Sequence, residues 1–238
     1  MKISLCIPMY NETSIIADTA KTLVEYMTAH FPGEHEIIFS DDGSTDGSAD
    51  LVRGLELPGV RVVGYEKNRG KGCAVRTALL AAEGDIVMFT DADLAYGTDV
   101  IARVVETFDA NPESGMVIGS RNLSADGYEG YTPLRRLMSK VYIRVLCLVG
   151  GFKLSDSQCG CKAFRRAAVQ AIFPRCQVDG FAFDFEAILW AQKLGIKITE
   201  MPVKIINHRE SKVRVLRDTV KMLGDLRRMR KRISAAEK

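Results

Sequence analysis

Apolar and amphipathic segments alternate along the first half of the chain. In residues 12–30, mostly apolar side chains recur every three or four positions at Ile15, Ile16, Thr19, Leu23 and Met27, which is typical of a helix with one buried face. Between such segments lie short, almost wholly apolar runs, and these predict buried strands. The predicted strands are 3–8, 35–40, 60–65, 85–90 and 115–120, and the predicted helices are 12–30, 46–54, 72–82 and 99–111.

Strands that alternate with helices form a mostly parallel sheet flanked by helices, so the pattern predicts an α/β fold. After Ser120 the alternation becomes less regular. With 238 residues and 47% hydrophobic content, the chain can bury one substantial core. We therefore expect one domain over residues 1–208, followed by a C-terminal element, 209–238. In the second half, helices are predicted at 134–149 and 183–194 and a strand at 197–202, and segment 156–165 receives no assignment.

The C-terminal element differs from the rest of the chain in charge. Residues 209–238 contain eleven Lys and Arg against four Asp and Glu, whereas the preceding part is mildly acidic. Apolar residues recur at helical spacing from Val213 to Ile233, so we predict an amphipathic helix. Two interpretations stay open: the helix lies on an anionic membrane, or it packs against the protein body or within a homodimer. Residues 138–152 are a second candidate for contact with lipid.

The cysteine pattern and the length of the apolar runs indicate in which cellular compartment the protein is expected. The six cysteines are scattered, which predicts reduced thiols, and Cys159 and Cys161 lack the partners of a zinc site. No apolar run approaches the roughly twenty residues that span a bilayer, and the N-terminal run, broken by Pro8, is too short for an export signal. We expect a cytoplasmic protein, peripheral at the cytoplasmic face of a membrane, with no nucleic-acid partner.

Acidic residues directly follow two predicted strands, Asp41 and Asp42 after the second and Asp91 and Asp93 after the fourth. Because the carboxyl ends of parallel strands line one crevice, the two clusters are expected to meet there. Two carboxylates that leave room for a diphosphate suit Mg²⁺ or Mn²⁺. A calcium-binding EF-hand loop is excluded, because Arg53 occupies the position that requires Glu. An ordinary polar turn stays an alternative for either cluster alone.

A Gly-rich basic loop, NRGKG at 68–72, lies between the acidic clusters and opens the helix 72–82. Backbone amides at a helix start, together with Arg69 and Lys71, suit a diphosphate. The spacing excludes a Walker P-loop. A basic surface turn without a ligand stays the alternative.

Several short motifs occur in order along the chain. Those of the first half are IPMYNE at 7–12, DDGSTD at 41–46, NRGKGCAVRTAL at 68–79 and DAD at 91–93. They resemble the motifs of the family 2 inverting glycosyltransferases, which have a GT-A nucleotide-sugar fold. Those of the second half are DSQCGCKAF at 156–164, FAFDFE at 181–186 and RESKV at 209–213. They resemble the motifs of the polyprenyl-phosphate sugar synthases, most closely the dolichyl-phosphate β-glucosyltransferases and next the dolichyl-phosphate mannose synthases.

The resemblance implies a metal-dependent enzyme that moves a hexose, glucose from UDP-glucose, to a polyprenyl phosphate such as dolichyl or undecaprenyl phosphate, with inversion. Such a phosphate is largely a dianion at neutral pH, so no strong general base is needed. The implied ligands of Mg²⁺ or Mn²⁺ are Asp91 and Asp93, and the implied catalytic residues are Asp93, Asp184, Arg121, Arg209 and Lys212. The nucleotide sugar is implied to contact Pro8, Tyr10, Asn11, Glu12, Asp41, Asp42, Lys71, Asp91, Ala92 and Asp93, and the acceptor phosphate Arg121, Arg135, Gln158, Arg209, Ser211 and Lys212.

Two positions keep alternatives open. Asp184 is implied to act as a base if the acceptor is a sugar hydroxyl, or to orient basic side chains or sugar hydroxyls if the acceptor is a phosphate. Mannose synthases of this type have Gln where this chain has Ala95, so metal binding rests on fewer side chains and the likeness shifts toward the glucose enzymes. A hydroxyl-acceptor transferase, a GDP-mannose-dependent enzyme and a silent nucleotide-sugar-binding module are the alternatives.

Overall fold

The computed structural model describes residues 1–129, 132–207 and 215–236, without the side chains of Arg135 and of residues 215–223. Within these ranges seven strands form one sheet: β1 (Ile3–Met9), β2 (His35–Asp41), β3 (Val60–Gly64), β4 (Ile86–Phe89), β5 (Ser114–Ser120), β6 (Lys162–Arg165) and β7 (Lys197–Pro202). The helices in the same ranges are α1 (Ile16–His30), α2 (Ser48–Gly54), α3 (Lys71–Ala81), α4 (Val100–Ala110), α5 (Pro133–Gly150), α6 (Arg166–Ile172), α7 (Phe183–Lys193) and α8 (Val215–Ala235), with short 3₁₀ turns at Arg121–Leu123 and Phe173–Arg175.

The strands lie in the order β3-β2-β1-β4-β6-β5-β7. Strands β1 to β4 pair in parallel, as do β5 and β7. Strand β6 runs antiparallel to both of its neighbours, β4 and β5. The predicted α/β fold with a mostly parallel sheet is confirmed. Strand β6 falls in the segment without an assignment, since it is short and begins with a buried charged residue, Lys162.

Helices bury a hydrophobic core on each face of the sheet. Side chains of β4 alternate between the two cores, with Ile86 and Met88 on one face and Val87 and Phe89 on the other. Helices α1 and α4 cover the first face, whereas α3 and α5 to α8 cover the second. Because both faces are covered, the central strands are apolar throughout, which explains why continuous apolar runs predicted them correctly.

One edge of the sheet gathers the loops that carry predicted site residues. The parallel strands β1, β2 and β4 end there at Met9, Asp41 and Phe89. Because β6 runs in the opposite direction, its first residue, Lys162, pairs with Phe89 and lies at the same edge. The reversal therefore brings the segment before β6 to the place where the acidic residues follow β4.

The basic C-terminal helix α8 packs against α5 and α7. Its side chains Leu226, Met229 and Ile233 are buried in the core. Arg232 forms an ion pair with Glu186, whose side chain is fully buried. The apolar side of the tail therefore faces the protein body wherever its side chains are described. Among the described residues, no helix combines the length and apolarity that crossing a membrane requires.

Replacing Leu226 by Ala leaves a cavity where α8 meets the body, so we expect the free energy of unfolding to fall by about 3 kcal/mol. Urea denaturation followed by circular dichroism measures this change. The matched control is Arg227→Ala at the neighbouring exposed position, which should change the free energy by less than about 0.5 kcal/mol. Equal stability of the two variants would show that α8 does not belong to the cooperatively folded unit.

Candidate active site

The segment after β1 is fixed to the loop after β2. The N–H of Asn11 donates to Ser44 Oγ at 2.9 Å, and Asn11 Oδ1 accepts a hydrogen bond from the N–H of Thr45 at 2.9 Å. Asn11 has a φ of 53°, which Asn tolerates better than most residues. The predicted nucleotide-contacting segment 8–12 and the loop after β2 thus form one surface, with the side chain of Tyr10 exposed.

Asp42 is buried and binds the Gly-rich loop. Its carboxylate accepts hydrogen bonds from the hydroxyl of Tyr65 (2.6 Å), Nδ2 of Asn68 (2.9 Å) and the N–H groups of Arg69 (2.9 Å) and Gly70 (2.9 Å). These four donors fill most of the acceptor capacity of a carboxylate. Asp42 therefore holds the basic loop against β2, and its contact with a nucleoside stays a prediction.

Asp41 and Gly43 shape the turn around this buried carboxylate. Asp41 Oδ1 accepts a hydrogen bond from the N–H of Ser44 at 3.2 Å, which closes the turn after β2. Gly43 has a φ of 71°, and a Cβ there would lie 2.6 Å from the backbone nitrogen of Asn68. Only glycine therefore fits, because the backbone conformation and the close approach of the Gly-rich loop both exclude a side chain.

Lys71, the first residue of α3, reaches the acidic pair after β4. Its Nζ lies 2.5 Å from Asp91 Oδ1. Burial disfavours the charged form of Lys71, but the negative charge of Asp91, with smaller contributions from Asp184 and Asp93, raises the pKa of this lysine above its ordinary value. The other oxygen of Asp91 lies against Gly160, where a methyl group would collide with it. Asp91 is thus clamped between α3 and the segment before β6.

A buried ion pair lies next to this clamp. Nζ of Lys162 is 2.7 Å from Asp184 Oδ1 and donates to the carbonyl of Cys159 at 2.6 Å. Burial raises the pKa of Asp184 above its ordinary value, while the positive charges of Lys162 and, less strongly, Lys71 oppose that rise. Lys162 is not among the predicted site residues. Its one sequence signal is a lysine inside the apolar run that follows Cys159.

Arg121 and Gln158 meet around a buried carboxylate. Arg121 forms a two-point ion pair with Asp156, with Nε 2.6 Å from Oδ2 and Nη2 3.0 Å from Oδ1. Burial disfavours the charge of Arg121, but Asp156 outweighs it and raises the pKa of the guanidinium well above its ordinary value. Gln158 donates its N–H to Asp156 at 3.1 Å, and its Nε2 is buried without a hydrogen-bond partner in the described part of the chain. The hydroxyl of Tyr96 accepts the N–H of Gly160 at 3.3 Å and connects this group to the Asp91 clamp.

The DAD triplet offers few ligands for a metal. Asp93 Oδ1 accepts a hydrogen bond from the N–H of Ala95 at 3.1 Å, and Ala92 is buried. Within the described residues, no group of three or more His, Cys, Asp and Glu side chains is placed to hold a metal ion. Asp91 and Asp93 therefore fit Mg²⁺ or Mn²⁺ only with a diphosphate and water as further ligands, which is how Mg²⁺ commonly binds.

The other residues predicted to bind the acceptor phosphate have no described side chains. Arg209, Ser211 and Lys212 fall outside the described residues, as does the side chain of Arg135. Of the residues predicted to bind the acceptor phosphate, Arg121 and Gln158 are the two whose side chains the structure describes. All six cysteines are free, and burial raises the pKa of Cys159 to about 11, as for a small core residue.

Comparison with known proteins identifies the family and the fold to which this chain is similar. Residues 4–173 match the model of Glycosyl transferase family 2. The chain is 31% identical over 243 residues to a dolichyl-phosphate beta-glucosyltransferase of Dictyostelium discoideum, covering 96% of this chain and 73% of the relative. It is 28% identical over 242 residues to the enzyme of that name from Saccharomyces cerevisiae, covering 94% and 72%.

Solved structures of glucosyl-3-phosphoglycerate synthase from Mycobacterium tuberculosis have a similar fold. The complex with Mn²⁺, UDP and phosphoglyceric acid aligns with a TM-score of 0.70 at 19% identity, covering 100% of this chain and 80% of that one. The complex with UDP aligns with a TM-score of 0.69 at 21% identity, covering 94% and 79%. At these identities the likeness supports the fold and not the substrate. Because the family model matches well over half of the chain, this protein belongs to glycosyl transferase family 2 and is a glycosyltransferase with the GT-A fold.

Proposed function

We propose that this protein transfers glucose from UDP-glucose to a polyprenyl phosphate, such as dolichyl or undecaprenyl phosphate, with inversion at the anomeric carbon. The relatives from D. discoideum and S. cerevisiae are named as dolichyl-phosphate beta-glucosyltransferases, which supports glucose as the sugar and dolichyl phosphate as an acceptor. The observation that carries the proposal is the junction at Gly160, which contacts Asp91 on one side and Tyr96 on the other. One side suits the diphosphate of a donor, and the other suits the phosphate of an acceptor.

On the donor side, the Gly-rich loop and Lys71 supply positive charge to the diphosphate. Asp91 and Asp93 would hold Mg²⁺ or Mn²⁺, which stabilises the charge of the departing UDP. The Mn²⁺ and UDP complex of the M. tuberculosis synthase supports this class of metal. Because the carboxylate of Asp42 is occupied by the loop, Asp41 and the exposed Tyr10 are the better candidates for contact with the nucleoside.

On the acceptor side, the phosphate of a polyprenyl phosphate is already largely a dianion at neutral pH. The protein must hold this anion near the donor diphosphate and offset their repulsion. Arg121, fixed in orientation by Asp156, and the amide of Gln158 would bind phosphate oxygens, together with Arg135, Arg209, Ser211 and Lys212. Direct attack by the phosphate on an α-linked donor gives a β-linked product. Asp184 then serves to hold Lys162 and removes no proton.

The raised pKa of Asp184 favours a second candidate function, in which the acceptor is a sugar hydroxyl and Asp184 is the base. A GDP-mannose donor is less favoured because Ala95 replaces the Gln of the mannose synthases. With a polyprenyl phosphate as acceptor, the enzyme works at a membrane surface, since the lipid stays in the bilayer while the nucleotide sugar is dissolved in water. We infer the cytoplasmic face as the side on which it acts.

Incubating the purified protein with Mg²⁺ or Mn²⁺, radiolabelled UDP-glucose or GDP-mannose, and a series of acceptors tests the proposed function. We expect label in the organic-extractable lipid fraction with UDP-glucose and dolichyl or undecaprenyl phosphate. Label transferred only to sugar hydroxyls would favour the second candidate. No transfer or donor hydrolysis with any pair would favour a silent nucleotide-sugar-binding module.

Within that assay, Asp93→Ala should lower transfer by about a hundredfold or more, because a bound metal contributes several kcal/mol of charge stabilisation. The matched control is Asp109→Ala, since Asp109 is exposed in α4, and it should leave the rate unchanged. Calorimetric titration with Mn²⁺ and UDP provides a readout independent of activity. Equal Mn²⁺-dependent UDP binding by the two variants would contradict a role for Asp93 at the metal.

The position of Asp91 depends on the absence of a side chain at Gly160. Gly160→Ala introduces a methyl group that collides with Asp91 Oδ2, so we expect donor binding and transfer to fall by at least about tenfold, equivalent to 1.4 kcal/mol. Gly54→Ala is the matched control, because a Cβ there meets no atom within 4 Å. Unchanged activity of the Gly160 variant would mean that Asp91 needs no fixed position.

The ion pair between Lys162 and Asp184 predicts a pH effect. Lys162→Met removes a positive charge that lowers the pKa of Asp184, so that pKa rises further. If the ionised carboxylate supports transfer, activity falls at a higher pH on acidification than in the wild type. Lys162→Arg keeps the positive charge, so its activity should fall on acidification at the same pH as that of the wild type. The pH profile of kcat/KM measures the shift, and identical profiles for Met and Arg would contradict it.

A further inference from the structure

Helix α5 buries one side and exposes a row of large apolar side chains on the other. Ile143 and Leu146 are buried in the core. On the outward side, apolar residues recur at three- and four-residue spacing, which puts them on one continuous face of the helix. Their exposed fractions range from 39% at Val145 to 73% at Leu148. This outer apolar row consists of Leu134, Leu137, Met138, Val141, Val145 and Leu148.

Positive charges flank the outer apolar row. The sequence from Pro133 to Gly150 contains no acidic residue. Arg136, Lys140 and Arg144 are exposed along the same helix, and the first two also lie over the ring of Tyr128. Exposed apolar rows of this length are rare on proteins without a binding partner, and the partner of this one must also match a wholly positive rim.

Over the part of α8 whose side chains are described, residues 224–235, the helix adds charge beside α5 and exposes no large apolar side chain. Arg230 donates to the carbonyl of Val149 at 3.0 Å and so lies at the end of α5. Arg227 and Lys231, near the same place, are also exposed. The described apolar side chains of α8 face inward. In a membrane-binding amphipathic helix, one helix usually carries both the apolar face and the cations. Here α5 presents the apolar surface, and both α5 and α8 present cations.

We propose that the outer apolar row of α5 inserts into the headgroup region of an anionic lipid membrane, while the cations of α5 and α8 contact lipid phosphates. A second copy of this chain is a poorer occupant, because packing two outer apolar rows against each other would bring like charges of the two α5 helices together. Anionic lipid supplies both the apolar layer and the negative charge. Among the described residues, α5 is thus the element that enters the membrane, and α8 fastens it to the body.

This inference deepens the proposed function, on which its biological meaning rests. A polyprenyl phosphate keeps its chain in the bilayer and offers only its phosphate to the enzyme. Helix α5 follows, along the chain, the segment that begins with Arg121, the candidate ligand of that phosphate. Docking through α5 therefore ties the acceptor side of the site to the membrane by a short connection.

Vesicle co-sedimentation of the full chain tests the proposal. Leu137→Ser/Leu148→Ser removes two exposed side chains of the row, and Leu51→Ser/Leu80→Ser removes two exposed leucines of α2 and α3 as a matched control. We expect the first double variant to bind phosphatidylglycerol-containing vesicles at least about tenfold more weakly than the wild type. The control should bind like the wild type, and both variants should keep the wild-type melting temperature because the replaced side chains are exposed.

Three outcomes would overturn the proposal: equal vesicle binding by the two double variants, equal binding of wild type to phosphatidylcholine and phosphatidylglycerol vesicles, or a wild-type dimer by light scattering that only the row variant loses. Transfer from UDP-glucose to a short-chain, water-soluble polyprenyl phosphate, measured on the wild type without vesicles, tests the proposed function separately. Row-dependent vesicle binding without any such transfer would support the docking surface and contradict the proposed acceptor.

Discussion

The reversed strand β6 determines how the site is built. In a wholly parallel sheet, only the residues that follow strands reach the carboxyl edge. Strand β6 instead brings its first residue, Lys162, and the segment before it to that edge. Lys162 then pairs with Asp184, and Gly160 packs against Asp91. Because an unpaired buried charge costs about 3 to 5 kcal/mol, Lys162 and Asp184 must be placed together, and this requirement fixes α7 relative to the sheet.

The sequence predicts the central parallel strands β1, β2 and β4 well because strands buried on both faces leave continuous apolar runs. Strand β6 leaves no such run, since its buried lysine is satisfied by Asp184, a residue far away in sequence. The acidic clusters have a related limit. Asp42 and Asp91 both follow buried strands, yet Asp42 accepts hydrogen bonds from Tyr65 and from three donors of the Gly-rich loop, while Asp91 forms an ion pair with Lys71. The spacing of residues in the sequence indicates that a carboxylate follows a strand. It does not indicate which neighbouring groups form hydrogen bonds or ion pairs with that carboxylate.

Helices α5 and α8 show the same limit for apolar patterns. Both carry apolar residues at helical spacing and many cations, so both are candidates for the membrane from sequence. In the structure, Leu226 of α8 is fully buried, whereas Leu148 of α5 is largely exposed. An amphipathic pattern specifies that one face is to be covered, and tertiary packing decides what covers it. The difference arises because α8 packs against both α5 and α7, and its described apolar side chains face the core.

The charge balance of the site constrains the chemistry further. Three of its described cations, Lys71, Lys162 and Arg121, are each paired with a carboxylate: Asp91, Asp184 and Asp156. These three pairs together therefore offer no net positive charge to two phosphate-bearing substrates. Bringing a diphosphate and a phosphate dianion together in such a site is unfavourable unless cations enter with them or approach from elsewhere. Under the proposed function, a divalent metal that arrives with the donor would supply one source, and Arg209 and Lys212 are predicted to supply another. We therefore infer that these three pairs alone do not supply the charge needed for transfer, and that this charge is completed only when donor, metal and the basic segment assemble.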